Sequence, residues 1–512
     1  MPVPGPTLRL LPLAVAALLL SAECHAQWRV TPRIDLRETY SDNLGLRSDA
    51  DARGGFISEA SPTVVVSANG PRLTLNAEAG WRMYAYSNDD TNDLRNSERR
   101  YNATARAMVV DQLFFVDAAA SSSRQAVSAF GPVSSNNYSS ANNTDIRTWR
   151  ISPYLQHRFG STADLNMRYT RDSVNGGTGG YGNSLANTSS IDLSSGRAFT
   201  TLGGSLSYYR QDLKDEYSGE SSSESATAGL RWSVIRRLSL TANVGYDKYE
   251  YPVLNERTQG RSWSGGFIWT PSTRTKVQAS FGRRYFGKTG MLAASYRTQR
   301  TVWSLDYNDA ITTSRQQFLL PAAVDTAAML DSLFAADFPD PVQRQQAIQA
   351  YMAATGLPPT LLDSINYLSN RYIRVRRLQG TALLRGARSN LTFTVFRDQR
   401  NALSTQQSDS TLLLGQLATL NDDTRQRGAS ANFDYRLSTR SNAYVNLSAS
   451  HIESLSTNLT NNISETHLGM SHRFDARAQG SLEFRHTRGN ASLYGAGDYH
   501  ENAIAASFSV VY

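Results

Sequence analysis

Nucleophilic and metal chemistry needs a reactive side chain held beside a base, or several ligands gathered on one face, and this chain offers few of either. Of its 512 residues one is cysteine, Cys24, and seven are histidine. Cys24 lies in an N-terminal segment that reads as an export signal, so the mature chain is expected to carry no disulfide, no thiol nucleophile and no thiolate metal site. Six histidines follow that segment, at His157, His451, His467, His472, His486 and His500. They form no helix-borne metal pair, and His472 and His486 fall near strand ends on the apolar parity, where histidine is ordinarily interfacial. No phosphate-binding glycine loop and no serine in a nucleophile-elbow context occurs. The expectation is therefore no enzyme, no catalytic residue, no metal and no cofactor. What the chain has in quantity is arginine that alternates with apolar residues. Arg82, Arg106, Arg168, Arg231, Arg284, Arg436, Arg473 and Arg485, with Lys276, share one parity with Glu78, Asp164, Asp247, Asp434 and Glu483. Cations are in excess. Lining a pore, such an excess favours anions and acidic polymers, whereas any one arginine is more simply read as pairing across a wall.

Alternation is the property of the elements that must hold these residues. Leu73, Leu75, Ala77, Ala79, Trp81 and Met83 interleave with Thr74, Asn76, Glu78, Gly80, Arg82 and Tyr84, which puts an apolar face opposite a polar one in a strand. The pattern recurs at Ala226 to Val234, Leu238 to Tyr246, Ala443 to Ala449 and Thr466 to Phe474. The chain closes on another case, with Ile504, Ala506, Phe508, Val510 and Tyr512 on one face. An apolar face ending on an aromatic residue resembles the terminal signal read by the outer-membrane barrel assembly machinery, with Ile504, Phe508, Val510 and Tyr512 as its residues. Connections alternate between tight, as at Gly160-Ser161-Thr162 and Ile235-Arg236-Arg237, and long and polar, as at Ser87 to Glu98, Arg124 to Asp145 and Asn401 to Asp423. A transmembrane barrel has this asymmetry of short periplasmic turns and longer extracellular loops, and a soluble sandwich has no cause for it.

The fold class expected is all-β, a transmembrane antiparallel β-barrel of about 22 strands, in a range of about 16 to 22. An even number puts both termini on one side. Parity is kept through residues 296 to 370 by a strand over Thr301 to Tyr307, a turn near Asn308-Asp309 and a second short strand over Thr312 to Leu319. Leu113 to Ser122 and Ser189 to Ser195 are weakly patterned. One insertion, at about residues 321–369, reads as helical and extracellular. Asp340, Pro341 and Gln343 give an N-cap, a first-turn proline and a capping partner, Ala347, Ile348, Tyr351 and Met352 form an apolar stripe, and Gly356 and Pro358 end it. It is expected to gate the barrel mouth or to cap its surface.

Residues 1–26 have the plan of a cleaved signal peptide, with Arg9 before an apolar run from Leu10 to Leu20 and a cleavage context at Cys24-His25-Ala26. The barrel domain is then 27–512. The net charge of +8 is dispersed without a basic block, which argues against nucleic acid as a partner. No apolar run reaches the length of a spanning helix.

The segment Arg33-Ile34-Asp35-Leu36-Arg37-Glu38-Thr39-Tyr40-Ser41-Asp42-Asn43-Leu44 resembles the first strand and loop of outer-membrane barrels associated with the PEP-CTERM sorting and exopolysaccharide system. Ser194-Ser195-Gly196-Arg197, Ser207-Tyr208-Tyr209-Arg210 and the stretch from Asn370-Arg371-Tyr372 to Gly386-Ala387-Arg388 are similar to later pieces of that family. The resemblance implies the outer membrane of a Gram-negative bacterium, membrane lipid as surroundings and exopolysaccharide export components as partners; it transfers no catalytic residue. The function expected is a channel assisting export of an exopolysaccharide or other anionic polymer. The alternative is a general diffusion porin or a structural envelope barrel.

Overall fold

A strand in a membrane has unsatisfied N–H and C=O groups on both edges unless it is paired on both, so strands that cross a bilayer must close into a ring. The computed structural model describes residues 27–88, 94–133, 138–139, 142–176, 183–216, 219–250, 259–319, 372–403, 423–457, 459–491 and 497–512. The leader, with Cys24, and the helical stretch expected at 321–369 lie outside the described residues.

Twenty-two strands follow one another. The first eight are β1 (Gln27–Ser41), β2 (Gly55–Asn69), β3 (Leu73–Tyr86), β4 (Ser97–Val110), β5 (Phe114–Ala126), β6 (Asn143–Phe159), β7 (Ala163–Gly176) and β8 (Ser184–Ser195). Next come β9 (Leu202–Asp215), β10 (Gly219–Ile235), β11 (Leu238–Glu250), β12 (Gln259–Ser272), β13 (Thr275–Arg284), β14 (Gly287–Arg297) and β15 (Thr301–Thr313). A short helix, α1 (Ser314–Leu319), precedes the last seven. These are β16 (Tyr372–Arg385), β17 (Ser389–Ala402), β18 (Asp423–Arg436), β19 (Ser441–Ser454), β20 (Thr460–Arg473), β21 (Ala478–Ala491) and β22 (Gly497–Val511). Each strand pairs antiparallel with its neighbours in sequence. β1 also pairs with β22, from Arg33 opposite Val511 to Ser41 opposite Ala503, and this closes the barrel.

Gln27 and Tyr512 lie at one rim, the turn end, where connections such as 70–72, 160–162, 236–237 and 273–274 are short. The opposite rim, the loop end, carries 42–54, 127–133 and α1. The two-strand reading of 301–319 is corrected. β15 is a single strand running to the loop end, with Asn308 paired to both Met291 and Arg377, and α1 replaces the second strand. Asn308-Asp309 has turn-forming residue types, but Asp309 is held in the wall by an ion pair of 2.7 Å with Arg374. The count stays even through a two-residue link at Tyr285-Phe286, which Gly287 completes at φ 120°, a conformation that side chains resist. The faint stretches are the strands β5 and β8. In β5, Ala and Ser occupy both faces, which erases the alternation.

The outer wall is apolar and exposed all round, at Ile34, Leu36, Val64, Leu206, Leu230, Val244, Leu482 and Ile504 among others. Aromatic side chains gather at both ends of this band. Trp28, Trp232, Trp269, Trp303 and Phe474 mark the turn end, and Tyr40, Phe56, Tyr246 and Phe281 the loop end. This is the belt pattern of a barrel of the outer-membrane type. In the last strand Ile504, Phe508 and Tyr512 are exposed outward with Val510 on their parity, while Ala503 and Ala505 are buried inward. The Tyr512 amide donates to the carbonyl of Pro32, at 2.9 Å, across the closure. The compact core is inside the lumen, at the loop end.

Candidate functional site

The core begins with residues 127–133, which follow β5 and fold into the barrel. Val127, Ala129 and Phe130 are fully buried and pack on Ile146 of β6, Val174 of β7, Ile452 of β19 and Ile463 of β20. β6 and β20 are eight strands apart the shorter way around the ring, so Phe130 joins two distant sectors of wall. A buried loop must find partners for its backbone, and several are supplied by side chains. Asn142 accepts from the Ser128 amide at 3.0 Å and donates to the carbonyls of Ser128 and Pro132 at 2.9 and 3.2 Å. Asn461 donates to the carbonyls of Ala129 and Gly131 at 2.8 and 3.4 Å. The Tyr499 hydroxyl donates to the carbonyl of Val133 at 3.2 Å.

Two more segments lie over the same space. From 42–54, Leu44 packs with Ile57 and Tyr138, and Leu46 with Tyr499. From β15, α1 reaches toward β6 and β7, eight strands from its own root. Its Arg315 is buried, donates to Ser184 Oγ at 2.8 Å and to the Asp172 carbonyl at 3.0 Å, and forms an ion pair with the Asp172 carboxylate. Leu319 joins the core around Phe130.

Below this closure the lumen is ionic, and the expected arginines divide into two groups. Five are neutralised. Arg485 pairs with Glu501 at 2.8 Å, where the Ser41 hydroxyl also donates at 2.7 Å. Arg82 meets Glu59 at 3.4 Å, Arg106 and Arg168 share Asp117 at 2.9 and 3.1 Å, and Arg284 meets Asp247 at 2.7 Å. Arg168 also lies 4.0 Å over the Tyr154 ring, a cation–π contact. Glu483 is claimed by Arg37 at 3.0 Å and by the Tyr444 hydroxyl at 2.7 Å. The Tyr444 ring rests on Gly469, where any Cβ would collide with it.

Arg231, Arg436 and Arg473, with Lys276, form the second group, toward the turn end. Each alternates with outward residues such as Trp232, Tyr435 and Met470, so each takes the inward parity. Among the described residues none has a carboxylate within ion-pair distance; Arg231 donates to the Phe199 carbonyl at 3.4 Å. The turn end therefore carries four cations on its inward face, with Asp434 two residues from Arg436 on the same parity, and the loop end is occupied by inward-folded segments.

Ser441 and His472 meet at 2.8 Å on neighbouring strands, a pairing of nucleophile and base types. They sit on the outer-wall parity beside Phe474, with no carboxylate bonded to the ring among the described residues. His467 lies inside, between Glu465 and Glu483 at 3.6 and 3.7 Å. Among the described residues no cluster of His, Cys, Asp or Glu could hold a metal ion.

The residues sequence reasoning missed are those of the closure: Phe130, Asn142, Asn461, Tyr499, Arg315 and Asp172. Arg124 to Asp145 reads as a polar loop; the structure corrects this, because 127–133 is buried in the lumen. The signal was Ala126-Val127-Ser128-Ala129-Phe130-Gly131-Pro132-Val133, a run without charge inside a loop that water alone would favour as polar.

No protein-family model and no curated protein matches the chain. Solved structures of similar shape include the siderophore receptor PirA from Pseudomonas aeruginosa, at 10% identity and TM-score 0.45 over 94% of this chain and 80% of that one. The FrpB iron transporter from Neisseria meningitidis gives 10% and 0.48 over 94% and 82%. The ferric enterobactin receptor PfeA gives 11% and 0.46 over 95% and 82%. At these identities the likeness is one of shape and assigns no ligand to this chain.

Proposed function

We propose that this chain is an outer-membrane conduit for an anionic, hydrophilic cargo, closed at rest at its loop end. The turn end faces the periplasm and the loops face outward, after removal of residues 1–26 and insertion by the barrel assembly machinery through Ile504, Phe508, Val510 and Tyr512. The observation that carries the reading is the asymmetry of the lumen. Among the described residues Arg231, Lys276, Arg436 and Arg473 at the turn end have no carboxylate partner, whereas the loop end holds a core of inward-folded segments. Cations at the periplasmic mouth draw anions in, and undocking of 127–133 and α1 lets them out. An acidic exopolysaccharide suits such a path, and the resemblance to PEP-CTERM-associated barrels of a Gram-negative bacterium names that cargo and the export components that would deliver it.

Purified barrel in planar bilayers tests this. The expected record is long closed intervals with brief anion-selective openings, and substitution of Arg231, Lys276, Arg436 and Arg473 by glutamine abolishes the selectivity. Cation-selective openings, or selectivity unmoved by the four substitutions, refute it. A second reading, a structural barrel that stays shut, is favoured by the density of internal ion pairs; it predicts silence even after the docked loop is released.

A further inference from the structure

On β17 to β19, two residues below the outward row of Gln399, Arg425 and Glu453, the outward residues form a basic row. Arg397 pairs directly opposite Arg427, Arg427 opposite His451, and His451 opposite Asn462. Arg488 stands opposite Ser464, two residues deeper. Arg397, Arg427 and Arg488 are exposed, and no carboxylate lies within ion-pair distance of them among the described residues. The acids nearby are engaged or peripheral. Glu453 is with Arg425 at 3.4 Å, Asp49 is with His500 at 2.6 Å, and Asp498 stands at the far edge opposite Asn490. Two arginines directly opposed on a sheet repel each other, so the wall is stabler with an anion between them.

What lies beneath the row identifies that anion. Two residues toward the turn end, the same strands carry Val395, Ala429, Ala449 and Ser464, and beyond them Phe393, Ala431 and Leu447 begin the apolar band. The small residues leave a groove of about 790 Å³ lined by Arg427, Ala429, Ala449, His451 and Arg488 among others, with Asp498 at its β22 edge and Arg397 beside it, opposite Arg427. The upper edge is cationic, the floor is small and the exit is apolar.

We propose that this groove binds a phosphorylated, multiply acylated glycolipid of the outer leaflet, with phosphate between Arg397 and Arg427 and an acyl chain over Ala429 and Ala449. Guanidinium groups match phosphate oxygens in geometry as well as charge. The proposal rests on the loop end facing outward. The distinguishing measurement for that reading is heat-modifiable barrel in the outer-membrane fraction of cells, which it requires and which the groove does not affect.

The test uses the full barrel in detergent, titrated with bisphosphoryl lipid A and with dephosphorylated lipid A, with occupancy read by native mass spectrometry. The wild type is expected to prefer the bisphosphoryl form, and Arg397→Gln/Arg427→Gln/Arg488→Gln to weaken it by about tenfold or more. Arg210→Gln, an outward arginine already paired with Asp212, is the control and keeps the affinity. Equal affinity of the wild type for both lipids, or of the triple variant and wild type for the bisphosphoryl lipid, overturns the proposal. Tighter binding of a free acidic polysaccharide than of either lipid also overturns it.

Discussion

The closure can be opened by removing two side chains that are not part of the wall's hydrogen-bond ladder. Phe130 is fully buried in the core formed by Val127, Ala129, Ile146, Val174, Ile452 and Ile463. Truncating such a phenylalanine to alanine costs about 3 to 5 kcal/mol where the site does not collapse. Asn461 supplies two hydrogen bonds to the carbonyls of Ala129 and Gly131. Replacing it leaves both without that donor in a buried setting, about 1 kcal/mol each. In the double variant Phe130→Ala/Asn461→Ala the docked loop is therefore weakened by about 5 kcal/mol, a several-thousand-fold shift toward the undocked form. The barrel itself keeps its closure, because β19 to β22 retain every strand-to-strand pairing. The assay is single-channel conductance in planar bilayers, with open probability compared between wild type and variant. Thiol labelling gives a second readout free of conductance, since Cys24 is the only cysteine of the chain and Ala129→Cys is a unique buried probe. The expected result is a large rise in both open probability and labelling rate. Phe508→Ala on the lipid face is the control and changes neither. A folded, heat-modifiable double variant whose conductance and labelling match the wild type refutes the docked-loop mechanism.

Arg485→Ala strands Glu501 in a buried site shared with Ser41, and should lower unfolding stability in vesicles by about 3 to 5 kcal/mol, read from the urea midpoint; an unchanged midpoint contradicts a structural role for the pair. In the β20–β21 turn the Asp475 carboxylate accepts from the amides of Arg477 and Ala478 at 2.7 Å each, which holds its pKa below the ordinary aspartate value. Its contribution to stability is then present above the unfolded-state pKa and lost as pH falls through the folded-state value, so Asp475→Asn should lower stability at neutral pH, leave it nearly unchanged in acid, and thereby flatten the acid limb of the profile. Deleting Tyr512, or changing Phe508 to Asp, should slow assembly of the barrel in cells while purified protein still refolds into detergent; equal slowing in both settings assigns the defect to folding instead.

The wall was legible because a strand in a membrane shows its two environments at alternate residues. Ile504 to Tyr512 and Leu73 to Met83 take the faces that alternation predicts. It failed where the two environments ask for the same residue types, as in β5, or where a polar pair such as Asn308-Asp309 is satisfied inside a strand by Arg374. Parity likewise placed the eight arginines inward but said nothing of depth or partner. That Arg485 is neutralised by Glu501 while Arg473, on the neighbouring strand, lacks a carboxylate depends on register between strands, which alternation within one strand does not contain. The closure was least legible. Phe130 owes its place to Ile452 and Ile463, more than three hundred residues away, and no local period announces a contact of that kind.

The physical contrast between wall and closure is what makes a gate plausible chemistry here. In the wall, every step around the ring is secured by a ladder of backbone hydrogen bonds that hydrocarbon makes costly to break. The closure faces the lumen, where water can replace each of its bonds, so undocking exchanges protein partners for solvent instead of leaving them unmet. Its anchors are few and of ordinary strength: one aromatic side chain, the amide of Asn461, the hydroxyl of Tyr499 and the Arg315–Asp172 pair. Those anchors stand on sectors of wall that lie far apart around the ring, at β7 and at β20 to β22. In the conduit we propose, a cargo entering from the turn end meets the underside of this assembly and competes for Arg315 with the same kind of group, a carboxylate, that holds it. Under that proposal an acidic polymer supplies through its own charge part of the free energy of opening, which a neutral solute of the same size does not.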